Sequence, residues 1–274
     1  MDNRPEKRLL ANVQTNLYLD LMKRCLTNHI YDGDKDLMRG EFVLDEKTGK
    51  YRAVSGADCE PEMKYLGGIW PSIAHTMIGI PRLENLQYCV EAVLERDVPG
   101  DLIETGVWRG GATIFMKAIL NVHEVKDRIV WVADSFEGLP KPNAEEFPND
   151  ADQRFHLFET LSVSLEEVRT NFERYGLLDD QVRFLKGWFR DTLPKAPIEQ
   201  LSVLRLDGDS YESTMDGLVN LYPKLSVGGY VIVDDYGVVE ACNKAVDDFR
   251  AQNNIAADML PITGCGVYWQ RSEG

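Results

Sequence analysis

Acids at the ends of apolar runs are the chemistry this sequence offers most plainly. Leu204-Arg205-Leu206-Asp207-Gly208-Asp209-Ser210-Tyr211-Glu212 and Gly229-Tyr230-Val231-Ile232-Val233-Asp234-Asp235-Tyr236 each break from a short apolar run into carboxylates, as a buried strand with an acidic C-terminal tip does. In an open parallel sheet neighbouring tips face one crevice, so Asp207, Asp209, Asp234 and Asp235 are expected to converge. Repulsion would drive some of them to bind protons, whereas a hard divalent ion such as Mg2+ accepts a few carboxylate oxygens together with water and substrate oxygens. The expectation is a metal site at the mouth of an α/β sheet. Helix capping competes for Asp207 and Asp209, because Asp and Ser before Ser213 to Leu225 suit a helix N-terminus. Capping needs one acid at most and leaves Asp234-Asp235 unexplained.

The elements that must carry these tips alternate along the chain. Asp101 to Gly106 reads as the first strand, Ala112 to Leu120 as a helix, Arg128 to Asp134 as the second strand and Ser164 to Tyr175 as a helix with a Ser164/Glu167 capping box. Val182 to Gly187, Leu201 to Asp207 and Gly229 to Asp235 read as further strands, with helices at Met215 to Leu225 and Asn243 to Gln252. Val267 to Gln270 suits a terminal strand. This alternation predicts a parallel, doubly wound sheet with right-handed crossovers. Pro140 to Arg154, long and rich in proline and acids, reads as an excursion that covers a site.

Ahead of this core, residues 1–85 read as a helical cap or substrate lid, and 86–274 as the catalytic domain. Val13, Leu17, Leu21, Met22, Cys25 and Leu26 form a helical apolar stripe, with Lys23 and Arg24 turned elsewhere. Phe42 to Val54 suits a hairpin turning near Gly49, and Asn85 to Glu95 a helix.

Glu104-Thr105-Gly106-Val107-Trp108-Arg109-Gly110-Gly111 lies between a strand and a helix, where glycines let a ligand approach the backbone. The spacing is not that of a dinucleotide fingerprint, and Glu104 puts negative charge where a pyrophosphate would sit. A carboxylate there suits a ligand with a cationic end, such as the amino and sulfonium groups of S-adenosylmethionine. Asp134, closing the next strand, stands where an acid accepts from ribose hydroxyls. Trp188 and Phe189 offer either an aromatic wall to an adenine or simple core packing.

Composition narrows the partners. A formal charge of -15 argues against a nucleic-acid backbone or an anionic membrane. No apolar run approaches the ~20 residues needed to span a bilayer, and the polar residues 1–8 precede no signal-type apolar core, so a cytoplasmic protein is expected. The five cysteines are scattered, without a CxxC pair, and suit buried thiols. His29, His75, His123 and His156 lie outside the acidic tips. Of these, His75 in the cap is the one placed to swing into the crevice as an alternative base.

Taken together, the Glu104 to Gly111 turn, Asp134-Ser135-Phe136-Glu137-Gly138-Leu139-Pro140, Gly187-Trp188-Phe189, Asp207-Gly208-Asp209 and Asp234-Asp235-Tyr236 resemble the macrocin O-methyltransferase family. Tyr18-Leu19-Asp20-Leu21, Trp70-Pro71 and Thr76-Met77-Ile78-Gly79 extend the resemblance into the cap. It implies a class I S-adenosylmethionine-dependent methyltransferase fold, Rossmann-like with a seven-stranded, mostly parallel sheet, together with Mg2+ and a sugar hydroxyl of an antibiotic or related glycoside as acceptor. By the same resemblance Asp207, Asp234 and Asp235 are the metal ligands and Asp209 the base. Glu104, Thr105, Gly106, Trp108, Asp134, Ser135, Gly187 and Trp188 hold the cofactor. A catechol-type phenol presents the same pair of adjacent oxygens as a sugar diol and is the alternative acceptor. A non-catalytic S-adenosylmethionine-binding protein is the third reading, disfavoured by acids at every expected position. A homodimer is the default expectation.

Overall fold

The protein, a computed structural model, is described from residue 5 to residue 272. In chain order the elements are α1 (Pro5–Leu26), β1 (Lys35–Asp45), β2 (Lys50–Asp58), α2 (Pro61–Leu66), α3 (Gly79–Glu95), β3 (Asp101–Thr105), α4 (Gly111–Val122), β4 (Val130–Asp134), α5 (Leu165–Arg174), β5 (Val182–Lys186), α6 (Phe189–Thr192), β6 (Leu201–Leu206), α7 (Tyr211–Leu221), β7 (Leu225–Val233), α8 (Glu240–Gln252), β8 (Leu260–Pro261) and β9 (Val267–Gln270).

Seven strands form one sheet in the order β5-β4-β3-β6-β7-β9-β8. The first five pair in parallel, and β9 runs antiparallel to both β7 and β8. All six residues of β6 are buried, as a central parallel strand covered on both faces requires. Alternate strand residues feed two apolar layers. Leu102, Val130 and Val203 pack with α3, α4 and α5, while Ile103, Trp131 and Leu204 pack with α7 and α8. The order reverses between β3 and β6, which opens a crevice at their C-terminal ends. Among the described residues no helix is long and apolar enough to cross a membrane.

The segment ahead of α3 is not all helical. The expected hairpin is real and longer than its sequence signal, an antiparallel ribbon turning through residues 46–49, with irregular register between Asp36 and Phe42. Residue 85, the expected end of the cap, falls inside the continuous helix α3. In α1 the buried residues are Leu19, Met22, Lys23 and Leu26, whereas Val13, Leu17 and Leu21 are exposed. The helix was legible but its buried face was not. Among its described side chains, the exposed side carries three apolar residues, as many as the covered side. Arg109, stacked 4.1 Å from the Trp108 ring, donates to the carbonyls of Pro71 and Ala74 and so fastens the cap to the glycine turn.

Candidate active site at the strand tips

The tips of β3, β4, β5, β6 and β7 open into one cavity of about 570 Å³, lined by Glu104, Gly106, Trp108, Asp134, Ser135, Gly187, Trp188, Asp207, Asp209, Asp234 and Asp235. Eleven of the twelve expected site residues therefore meet in one place. Thr105 is the exception. Neighbouring strand residues point to opposite faces, and Thr105 is buried beside Gly217 of α7 rather than lining the cavity. Gly106, at φ +84°, passes so close to the carbonyl of Asp207 that a Cβ would collide with it. Three non-glycine residues bordering this crevice, Trp108, Phe136 and Asp209, also take left-handed backbone conformations, strain of a kind that collects at functional sites.

At one end of the cavity Glu104 is 2 % exposed, with one oxygen paired to Arg205 and Oε2 without any partner. Burial pushes its carboxyl up to about 8 against the pull of Arg205. An orphaned carboxylate oxygen facing a cavity fits a ligand ammonium. Asp134 does more than the sequence suggested. Its oxygens accept from the backbone N–H groups of Val107 and Phe136 at 2.8 and 2.7 Å, which pins both loops of the crevice. The Ser135 hydroxyl donates to the Gly138 carbonyl at 2.6 Å, and Trp188 adds an aromatic wall.

Farther in, Asp207, Asp234 and Asp235 each place a carboxylate oxygen within 4.8 Å of the others. Asp209 lines the same cavity outside this triad. Burial first, and then the neighbouring acids, push Asp207 up to about 6, Asp209 to about 8 and Asp235 well above the usual carboxylate range. Asp235 Oδ2 has no partner.

Two buried arginines that sequence reasoning missed share this cluster. Arg205 pairs with Glu104, Asp207 and Asp234, and Arg82 with Asp234. Burial alone would lower the Arg205 guanidinium, but Asp234, Asp207 and Glu104 hold it well above its ordinary value. The cluster is thus partly neutralised by the protein itself, contrary to the expectation that only protons or a cation could stabilise it. Ionised together, the five carboxylates would exceed the two guanidiniums by three charges, an excess that protons offset when no cation is bound. Together with the orphaned Asp235 oxygen, that excess fits a hard divalent cation.

The capping reading of Asp207 and Asp209 fails on inspection of α7. Ser210 caps this helix, its hydroxyl accepting from the Ser213 N–H at 3.1 Å, which leaves both acids to the cavity. Among the described residues no histidine lines it. His75 instead bonds the Tyr175 hydroxyl at 2.8 Å, and burial, reinforced by Arg109 and Arg174, pushes its ring down to about 4.

The model of the Macrocin-O-methyltransferase (TylF) family matches residues 15–271. The chain belongs to this family. Among curated macrocin O-methyltransferase relatives, the 8-demethyl-8-(2,3-dimethoxy-alpha-L-rhamnosyl)-tetracenomycin-C 4'-O-methyltransferase of Streptomyces olivaceus is 54% identical over 94% of this chain and 93% of its own. The demethyldecarbamoylnovobiocin O-methyltransferase of Streptomyces niveus is 53% identical, covering 96% of each chain. The mycinamicin III 3''-O-methyltransferase of Micromonospora griseorubida is 49% identical over 93% of this chain and 96% of its own. The solved structure of the O-methyltransferase NovP superposes with a TM-score of 0.83 at 52% identity, covering 94% of this chain and 100% of that one. Membership in the macrocin O-methyltransferase family makes the chain an O-methyltransferase of the class I fold, using S-adenosylmethionine.

A test of the Glu104 end follows. A cationic ligand group favours the ionised carboxyl, so cofactor affinity should rise with pH through about 8. Glu104→Gln should weaken cofactor binding by roughly 10- to 100-fold, the worth of a charge-assisted hydrogen bond, and flatten that rise. Calorimetric titration between pH 6 and 9 reads both, and a Gln variant binding as tightly as wild type would remove Glu104 from the site.

Proposed function

We propose that this protein methylates a sugar hydroxyl of a glycosylated natural product, with Mg2+ held by Asp207, Asp234 and Asp235 and with Asp209 as general base. The observation that carries the reading is the single cavity in which the orphaned Glu104 oxygen, the acid triad and an apolar wall built from cap and core lie together. Relatives that cover nearly the whole chain are named for O-methylation of a rhamnosyl-tetracenomycin, of demethyldecarbamoylnovobiocin and of mycinamicin III.

Held by Asp207, Asp234 and Asp235, a divalent cation would supply Lewis acidity toward an acceptor hydroxyl, and S-adenosylmethionine would supply the methyl group. The chain's own residues do the rest. Glu104, with its unpartnered Oε2, would receive the amino end of the cofactor, and Trp188 and Trp108 would supply aromatic walls beside it. Asp209, lining the same cavity, would take the proton of the acceptor hydroxyl as that oxygen receives the methyl group. Arg205 and Arg82 hold the acids at fixed angles, so that little rearrangement is needed when the acceptor arrives.

Electrostatics also select the form of the acceptor. Among the described residues, both arginines lining the cavity are paired, Arg82 with Asp234 and Arg190 with Glu212, and no lysine lines it. A nucleotide-activated sugar would bring a diphosphate to a wall whose described side chains offer it no unpaired cation beyond the proposed Mg2+, so the reading favours a sugar already transferred to its scaffold. Met38, Met63, Leu66, Trp70 and Phe155 supply the apolar surface that such a scaffold needs. In this proposal the cap is the lid over the acceptor, and the protein is a cytoplasmic homodimer.

A mass-spectrometric screen for methyl gain tests the reading on a panel of glycosides, their nucleotide-sugar precursors and catechols, each with and without Mg2+. Glycosides should be methylated in the presence of Mg2+. Methylation of catechols alone would replace the sugar reading.

A further inference from the structure

The proposed chemistry leaves Asp150 unused, yet this acid reaches the site from the long covering segment. It ends a short 3-10 turn, Pro148–Asp150, and is 1 % exposed. Its Oδ1 accepts from the N–H of Tyr211 at 2.7 Å and its Oδ2 from the N–H of Glu212 at 3.0 Å. These are the first two residues of α7, whose N–H groups have no partner within the helix, at the end where the helix dipole favours an anion. The ring of Phe147 tilts against that of Tyr211, centroids 6.3 Å apart.

The two sides of this joint face the same cavity. Gly138, Leu139, Pro140, Phe155 and Leu161 of the covering segment line it, and so do Asp209 and Glu212 across from them. Asp209, two residues before the Tyr211 N–H, sits at φ +58°, and the next amide, Ser210 N–H, folds back to the Gly208 carbonyl at 2.6 Å. A non-glycine residue holds that conformation only when the backbone on either side of it is fixed. The carbonyl of Thr105 receives the Asp207 N–H upstream, and Asp150 provides the anchor downstream.

We infer that Asp150 is a positioning residue, a single buried carboxylate that fastens the covering segment over the acceptor to the backbone presenting Asp209. The inference rests on the reading of Asp209 as base. A carboxylate serving only as a helix cap would alter stability alone. A joint shared by roof and base alters turnover and acceptor binding while sparing the cofactor, whose contacts lie at Glu104 and Trp188.

The test compares Asp150→Ala and Asp150→Asn with wild type in the full-length protein. Its readouts are amide hydrogen exchange, S-adenosylmethionine affinity, and kcat and KM for the glycoside that wild type methylates fastest in the panel above. In Asp150→Ala, exchange at Tyr211 and Glu212 and across residues 139–161 should quicken by roughly tenfold or more. The kcat should fall about tenfold and the acceptor KM rise, with cofactor affinity within about twofold of wild type. Asp150→Asn keeps one acceptor oxygen and should fall between the two, and it carries the same readouts if the alanine variant does not accumulate. Unchanged exchange across 139–161, or cofactor affinity falling in step with kcat, would overturn the inference. Full turnover by Asp209→Asn would remove the base reading but leave the exchange result standing. Unchanged exchange beside an inactive Asp209→Asn would remove this inference alone.

Discussion

Asp234→Ala should be the most damaging single substitution in the protein, lowering stability by ~3–5 kcal/mol, the cost of leaving a buried charge without its partner. Asp234 is 3 % exposed, and its two oxygens receive Arg205 and Arg82 separately. Removing it leaves Arg82, 5 % exposed, with only the carbonyls of Ile78, Gly67 and Met77 and the Cys265 sulfur. Urea denaturation of the cofactor-free protein reads the loss directly. Asp234→Asn, which keeps the shape and part of the hydrogen bonding, should lose less. A urea midpoint for the alanine variant equal to that of wild type would mean that these pairs contribute nothing net.

Asp209→Asn should leave the fold intact and cut kcat by ~10²–10⁴, the usual worth of a positioned general base. Asp209 makes no ion pair with either buried arginine, and the triad assembles without it, so divalent cation affinity and cofactor affinity should stay within about threefold of wild type. That separation distinguishes a base from a ligand. Near-normal turnover with unchanged metal affinity would end the role assigned to Asp209.

How far these features could be read from the sequence depended on their range. An acid that follows an apolar run is a local signal, which is why all four strand-tip aspartates and the Glu104 turn land in the cavity. Face assignment within a strand is local too, and the period of two places Thr105 away from Glu104. That signal was available and went unused. Arg205 could also have been found, because a charge inside the run Val203 to Leu206, otherwise apolar, must be paired if the strand is buried on both faces. Arg82 and Asp150 could not. Each acts across more than 60 residues of chain, and nothing near either residue announces its partner. The buried face of α1 was missed for a different reason, since Val13, Leu17 and Leu21 look as apolar as Leu19, Met22 and Leu26 and only packing chooses between them.

Methyl transfer by the wild-type protein after exhaustive chelation, with Mg2+ then restored, measures the central claim most directly. Turnover that collapses on chelation and returns with Mg2+, while cofactor binding persists throughout, is the result expected if Asp207, Asp234 and Asp235 hold a cation beside the methyl donor. Undiminished turnover by the chelated protein would contradict it.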